Sequence, residues 1–117
     1  MQYMLLIHTD DTPFTTATPE MVEQMLVPYL AYNAALRKAG VWLAGEQLGP
    51  RHLTTQVRVR DERTEVVDGP FADVKEGLGG YYIIDVPDLD AALKWAARCP
   101  GASHGTVEVR PIVSDNS

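Results

Sequence analysis

Residues 81–88 read YYIIDVPD, and the passage from strand to helix that they predict organises the rest of the chain. The first six of these residues predict a strand, and Pro87 with Asp88 predict the start of a helix that continues to Arg98. The sequence Cys-Pro-Gly at residues 99–101 should stop this helix. The side chains expected to face inward are Leu89, Ala92, Leu93 and Ala96.

The last predicted strand covers residues 106–112. Its side chains should alternate, with Val107 and Val109 on one face and Glu108 and Arg110 on the other. Together with the preceding strand and helix, it completes a β-α-β unit.

A second unit of this kind is predicted in the amino-terminal half. Residues 3–7 predict a buried strand, residues 9–18 a loop, and residues 41–44 a second strand that Gly45 should break. Between them lies a helix, with Thr18 as its N-cap and a stop at Gly40. Its apolar stripe consists of Met21, Met25, Tyr29, Tyr32 and Leu36.

A hairpin is predicted between the two units. Residues 54–60 alternate between polar and apolar, which indicates a half-buried strand with Val57 and Val59 on one face. Residues 61–63 predict the turn and residues 64–67 the returning strand. The order of elements predicts an α+β fold, a ferredoxin-like split βαβ sandwich whose antiparallel sheet carries two helices on one face.

This architecture leaves the second face of the sheet open. A second copy of the chain is expected to cover it, giving a homodimer, because large apolar patches are rarely left exposed. The expected domain covers residues 1–113, followed by a polar, flexible tail at residues 114–117.

The composition argues against several classes of partner. A net charge of -6 with scattered basic residues disfavours nucleic acid, which needs a basic surface. The apolar run at residues 4–7 ends at His8, so it predicts a strand and not a signal peptide, and no apolar run reaches the roughly 20 residues of a membrane helix. A single cysteine fits a reducing compartment. We therefore expect a cytoplasmic protein that binds neither nucleic acid nor membrane.

Asp68-Gly69-Pro70-Phe71 is the first candidate for function. One interpretation is a structural turn that aims Phe71 into the core, since aspartate, glycine and proline are common turn residues. The other makes Asp68 a site carboxylate whose partner is Lys75, either in acid–base chemistry or in a salt bridge that holds the loop.

A second group, formed by Glu46, Glu108 and Arg110, is expected on the open face. It indicates either an ion-pair network between subunits or a polar ligand site in which Arg110 holds an anionic group. His8 ends the first strand and could act as a base, or it could be a solvated strand end. The three histidines lack metal-ligand spacing, and the glycines near residue 79 lack the context of a phosphate loop. We expect neither metal nor cofactor.

Residues 68–71 (DGPF), Lys75-Glu76 and residues 79–87 (GGYYIIDVP) together resemble the DGPF-domain group of the YCII-related family. The resemblance implies a dimeric α/β barrel. Related barrels include isomerases and monooxygenases that use no bound cofactor, and members of the group often lie near genes for extracytoplasmic-function sigma factors. The broader family is sometimes credited with a His–Asp active-site pair, which no motif maps onto residues of this chain.

Two hypotheses of function follow. The first is a dimeric barrel that binds a small molecule, with acid–base chemistry by Asp68, Glu46 or His8. The second is a non-catalytic regulatory or binding module that works with a sigma factor. An enclosed cavity with convergent polar groups favours the first, and an exposed apolar patch outside the dimer interface favours the second. The candidate ligand-binding residues are Lys75, Glu108, Arg110 and Tyr82.

Overall fold

The fold is taken from a computed structural model, which describes residues 1–71 and 75–113. The predicted tail at residues 114–117 lies outside the described residues. The strands are β1 (Gln2–Thr9), β2 (Trp42–Gln47), β3 (Thr55–Arg60), β4 (Arg63–Asp68), β5 (Gly77–Asp85) and β6 (Thr106–Pro111), and the helices are α1 (Thr12–Thr16), α2 (Pro19–Lys38) and α3 (Leu89–Arg98).

Four strands form an antiparallel sheet in the order β2-β5-β1-β6, which we call the main sheet. Leu5 in the centre of β1 lies opposite Tyr82 on β5 and opposite Val109 on β6. This order, with α2 and α3 as the two crossover helices, is the ferredoxin-like split βαβ arrangement. The predicted fold class is therefore confirmed.

The core lies between one face of the main sheet and the two long helices. Alternate residues of β1 and β5 are buried there, together with Tyr32 and Leu36 of α2 and Ala92 and Ala96 of α3. Both helices therefore cover the same face, as predicted. The opposite face, which we call the open face, carries the alternating residues Met4, Leu6, His8, Tyr81 and Ile83.

The inward face of α3 differs from the prediction. Leu89 and Leu93 are 47% and 46% exposed, while Ala92, Ala96 and part of Trp95 pack against the core. The alanines allow the helix to lie close to the sheet, and the backbone carbonyl of Trp95 accepts a hydrogen bond from the Tyr32 hydroxyl at 2.7 Å. The helix therefore presents small residues inward and its leucines outward.

The predicted helix starts are confirmed. The side chain of Thr18 accepts a hydrogen bond from the backbone N–H of Met21, and the side chain of Asp88 accepts one from Ala91 at 2.9 Å. Gly40, one residue past the C-cap of α2, has a φ of 73°, a left-handed conformation that favours glycine.

Gly45 does not break the second strand, which continues through it to Gln47. A Cβ atom at Gly45 would lie 2.7 Å from Cδ1 of Tyr82 and 2.9 Å from Cη2 of Trp42. Glycine is required at this position because two aromatic rings occupy the space of a side chain. The predicted loop at residues 9–18 also differs from the structure, since it contains α1.

Strands β3 and β4 form a separate two-stranded sheet and do not join the main sheet. The φ angles of Asp61 and Glu62 are 50° and 63°, as in the two-residue turns that match the twist of a hairpin. Val57, Val59 and Val66 share one side of the hairpin, which we call the hairpin face, and each is more than half exposed. The predicted hairpin is confirmed. The expectation that Val57 and Val59 are buried on one face of it is wrong for the single chain.

Within the described residues, no helix has both the length and the apolar composition that crossing a membrane requires.

We predict that Gly45→Ala lowers the free energy of unfolding by about 1–3 kcal/mol, because the added methyl group overlaps the rings of Tyr82 and Trp42. Urea denaturation checks this value. Gly49→Ala is the matched control, since the nearest atom to its Cβ would be Cδ1 of Leu53 at 3.8 Å. Equal stability of the two variants would contradict the packing argument.

Candidate functional site

A cavity of about 600 Å³ lies on the helix side of the main sheet, between α2, β2 and β5. We call it the helix-side pocket. Segments around Asp11 and Arg51 border it at the ends of β1 and β5. Apolar and aromatic side chains form most of its wall, among them Phe14, Val22, Leu26, Leu30, Trp42 and Tyr82.

Helix α2 supplies one side of this pocket through a stripe that the sequence pattern did not single out. Val22, Leu26, Leu30 and Asn33 follow one another at spacings of four, four and three, so they share one face of the helix. Of the predicted apolar stripe, Tyr32 and Leu36 are buried in the core, whereas Met21 is half exposed. The helix has two apolar faces, one for the core and one for the pocket, and a single-stripe interpretation misses the second.

Three polar groups converge near the middle of β5. The Tyr82 hydroxyl donates a hydrogen bond to Oδ1 of Asn33 at 2.5 Å. Tyr29 lies one helical turn before Asn33 and also lines the pocket. Its hydroxyl has no hydrogen bond within the described residues. Of the predicted ligand-binding residues, Tyr82 is therefore the one whose side chain belongs to this pocket.

Burial sets the protonation of the two pocket tyrosines. Desolvation, with a smaller contribution from the nearby Cys99 thiol, raises the pKa of Tyr29 to about 12. Desolvation also raises the pKa of Tyr82 far above its usual value, with smaller contributions from Cys99 and Tyr29. Both phenols are neutral at physiological pH, so they can donate a hydrogen bond to a ligand and carry no charge.

An ion pair lies at the other end of the pocket, beside the end of β1 and the start of β5. Nε of Arg51 lies 3.5 Å from Oδ1 of Asp11, and the backbone N–H of Arg51 donates to Oδ2 of Asp11 at 3.0 Å. Nη2 of Arg51 donates to the carbonyl of Lys75 at 3.2 Å. Arg51 thus joins three segments of the chain. Lys75 contributes its backbone to this cluster, and its side chain is exposed.

On the open face, the structure brings together His8 and Glu108. Nε2 of His8 lies 2.5 Å from Oε1 of Glu108. The same nitrogen is buried and has no hydrogen bond of acceptable geometry within the described residues. The contact is therefore a close approach of imidazole and carboxylate and not an aligned N–H···O bond. Nearby, the hydroxyl of Thr106, which lies opposite His8, donates to Glu76 at 3.1 Å.

Glu46 and Arg110 share the open face with this pair but do not join it. Glu46, Tyr81, Leu6 and Glu108 form one row across four strands, so the two glutamates are about 14 Å apart at the usual strand spacing. Both Glu46 and Arg110 are exposed, and neither has an ion pair within the described residues. The backbone of Glu46 borders the helix-side pocket.

Hydrogen bonds from β3 hold the DGPF turn at the base of the hairpin. The side-chain amide of Gln56 donates to the carbonyls of Gly69 and Pro70, both at 2.9 Å, and Gly69 has a φ of 107°. Phe71 is 84% exposed, so the expectation that the turn aims it into the core is wrong for the single chain. Asp68 is exposed and forms no ion pair with Lys75. Its predicted catalytic role stays a prediction.

The predicted site residues therefore occupy three places. Tyr82 lies in the helix-side pocket, and His8, Glu108, Glu46 and Arg110 lie on the open face. Asp68 lies at the hairpin. The pocket that the single chain forms lies on the helix side of the main sheet, whereas the expected cavity was on the open face, where a second subunit would have to close it. In the described part of the chain, no group of three or more histidines, cysteines and carboxylates is placed to hold a metal ion.

We predict that the free energy of unfolding falls between pH 10 and about pH 12, in part because of Tyr29. The unfolded chain releases this proton near pH 10 and the folded chain near pH 12, so stability is lost as the pH rises through this window. Denaturation of Tyr29→Phe across these values should show a shallower decline than that of the original protein. An identical decline in both proteins would contradict the assignment.

Comparison with known proteins agrees with this fold and leaves the activity open. Residues 1–115 match the family model described as the YCII-related domain. The chain is also 33% identical, over 114 residues, to an uncharacterised protein of Rhizobium meliloti (strain 1021), with 96% of this chain and 92% of that protein covered. The sequence match and the ferredoxin-like sheet place this chain in the YCII-related family.

Proposed function

We propose that this protein binds a small organic molecule in the helix-side pocket. The observation that carries the proposal is the pocket's volume of about 600 Å³, which falls within the roughly 300–1,000 Å³ of small-molecule sites. Its walls are mainly apolar, and its polar groups are few and grouped at two places, which is the usual composition of such sites.

Cofactor-free acid–base catalysis is a second candidate function, and the pairing of His8 with Glu108 favours it. A carboxylate beside an imidazole orients the ring, which suits a general base. The imidazole lies on the open face, where a second subunit would exclude water from it. Glu46 and Arg110 on the same face would then supply a further carboxylate and a cation for a charged substrate group.

The proposal includes a homodimer in which a second copy covers the open face. Met4, Leu6, Tyr81 and Ile83 form an apolar centre there, with His8, Glu46, Glu108 and Arg110 around it. An apolar centre with a polar rim is the composition of a protein–protein interface. A domain of 117 residues also gains from such burial, because a small core leaves little stability in reserve.

The alternative, a non-catalytic regulatory module that works with a sigma factor in the manner of the DGPF-domain group, has its own supporting observation. The hairpin face and Phe71 are exposed and apolar, and they lie outside the main sheet. An isolated two-stranded hairpin is only marginally stable in water, so a bound partner would stabilise this one. The pocket between α2 and the main sheet, with its convergent polar groups, favours the small-molecule proposal over this one.

The pocket proposal predicts that compounds from a library of small organic molecules raise the melting temperature of the protein. Leu26→Trp should abolish these shifts, because the larger ring fills space inside the pocket. Val27→Trp, one residue further along α2, is the matched control, since Val27 is exposed and does not line the pocket. Thermal denaturation measures both. The proposal would be refuted if no library compound raised the melting temperature, or if Leu26→Trp and Val27→Trp lost the temperature shifts equally.

The assembly proposal predicts twice the chain mass in light scattering at micromolar concentration. Ile83→Lys should reduce the mass to that of one chain, because it places a charge in the apolar centre of the open face. Leu93→Lys is the control, since this exposed leucine lies on α3, away from the open face. A monomeric original protein, or dissociation by the control alone, is the contrary result.

A further inference from the structure

We infer that the ligand of the helix-side pocket is a neutral cyclic compound whose carbonyl oxygen accepts hydrogen bonds from Tyr29 and Asn33. The inference rests on the proposed function, since it names the ligand class for the same pocket. The protein supplies two donors, and the ligand supplies an uncharged acceptor and a flat apolar ring system. None of these features follows from the volume of the cavity.

Asn33 and Tyr29 present hydrogen-bond donors at the pocket. Oδ1 of Asn33 already accepts the Tyr82 hydroxyl, so the amide presents its two N–H bonds for other partners. These N–H bonds have no acceptor within the described residues, and the Tyr29 hydroxyl has none either. Tyr29 and Asn33 both line the pocket and lie one helical turn apart, with Cβ atoms about 5–6 Å from each other. The Tyr29 hydroxyl lies beside Gly101, and the ligand oxygen lies between that hydroxyl and the Asn33 amide.

The charges around the pocket favour an uncharged acceptor on the ligand. Both pocket phenols are neutral at physiological pH, because burial raises their pKa values. Among the described residues that line the pocket, the basic side chain is that of Arg51, and Asp11 already pairs with it at the opposite end.

Arg37, one turn beyond Asn33, is exposed, and its guanidinium lies over the Trp42 ring, 4.5 Å from the ring centre, outside the residues that line the pocket. A carboxylate beside Tyr29 and Asn33 would give up part of its water without a cation in the lining next to it, which is costly. A neutral carbonyl group loses much less hydration free energy than a carboxylate when it enters the pocket.

The aromatic and aliphatic side chains of the pocket wall favour a cyclic ligand. Trp42 and Tyr82 pack edge to face with their ring centres 5.7 Å apart, and both line the pocket. Leu26 and Leu30 of α2 line it as well. Aromatic and aliphatic walls of this kind favour a flat or alicyclic ring system, which gains from burial and from ring packing.

The test compares three probes of one skeleton by equilibrium dialysis: 9-fluorenone, which has a carbonyl, fluorene, which has no oxygen, and fluorene-9-carboxylate. The expected order of affinity is fluorenone, then fluorene, then the carboxylate. Tighter binding of the carboxylate, or equal binding of fluorene and fluorenone, would overturn the ligand class. Library compounds that bind while none of these probes does would overturn it too, and would leave the proposed function standing.

A variant pair tests the donor. Tyr29→Phe should weaken fluorenone binding about two- to tenfold, the value of one hydrogen bond, and leave fluorene binding unchanged. Unchanged fluorene binding also shows that the variant is folded. Tyr81→Phe, which removes a hydroxyl from the open face, should affect neither probe. Equal fluorenone affinity of Tyr29→Phe and the original protein would overturn the inference. If neither the probes nor the library compounds bind the original protein, the proposed function itself fails.

Discussion

Tyr82 joins the main sheet to α2, and both the core and the helix-side pocket depend on its position. Its ring packs edge to face against Tyr32 at 5.2 Å and against Trp42 at 5.7 Å, and its hydroxyl donates to Asn33 at 2.5 Å. The same ring leaves no room for a side chain at Gly45. One residue therefore sets the distance between sheet and helix, and the space beyond it becomes the pocket.

The molecule distributes its apolar surface unevenly. One face of the main sheet is covered by α2 and α3, while the open face and the hairpin face have no cover within the described residues. Polar and charged groups, including the close pair of His8 and Glu108, surround the apolar centre of the open face. In the proposed function, the two uncovered surfaces contact other chains and the helix-side pocket binds a small molecule. The open face and the pocket can serve different tasks because they lie on opposite sides of the main sheet.

The division of α2 into two apolar faces explains where the pocket lies. Tyr32 and Leu36 hold the helix on the core, whereas Leu26 and Leu30 continue past the edge of that contact. The segment with Arg51 and Asp11 closes the far end through an ion pair. The two side chains are 23% and 25% exposed, and the hydrogen bonds of Arg51 to Asp11 and to the carbonyl of Lys75 position the backbone around the opening.

The sequence alone predicted the six strands, the two long helices and their order, because these follow from local rules, and it missed α1. The alternation of apolar residues in strands, the caps at Thr18 and Asp88, and the left-handed turn at Gly40 each depend on a few neighbouring residues. The ferredoxin-like class followed from that order, since the handedness of the crossovers leaves few arrangements. Of the predicted site residues, Tyr82 lines the helix-side pocket, whereas the sequence pattern had placed the ligand cavity on the open face, and its role in binding stays a prediction.

Tertiary structure decided the rest, because it depends on contacts between distant residues. The bond from Tyr82 to Asn33 joins residues 49 apart, and no local pattern specifies it. Gly45 was expected to break a strand, but its pairing with Tyr82 continues the strand, and the two rings beside it explain why the residue is glycine. The valines of the hairpin alternate as they would in a half-buried strand, but period alone does not say what covers them. The sequence thus determined the six strands and the two long helices, and packing determined which faces meet and where a cavity remains.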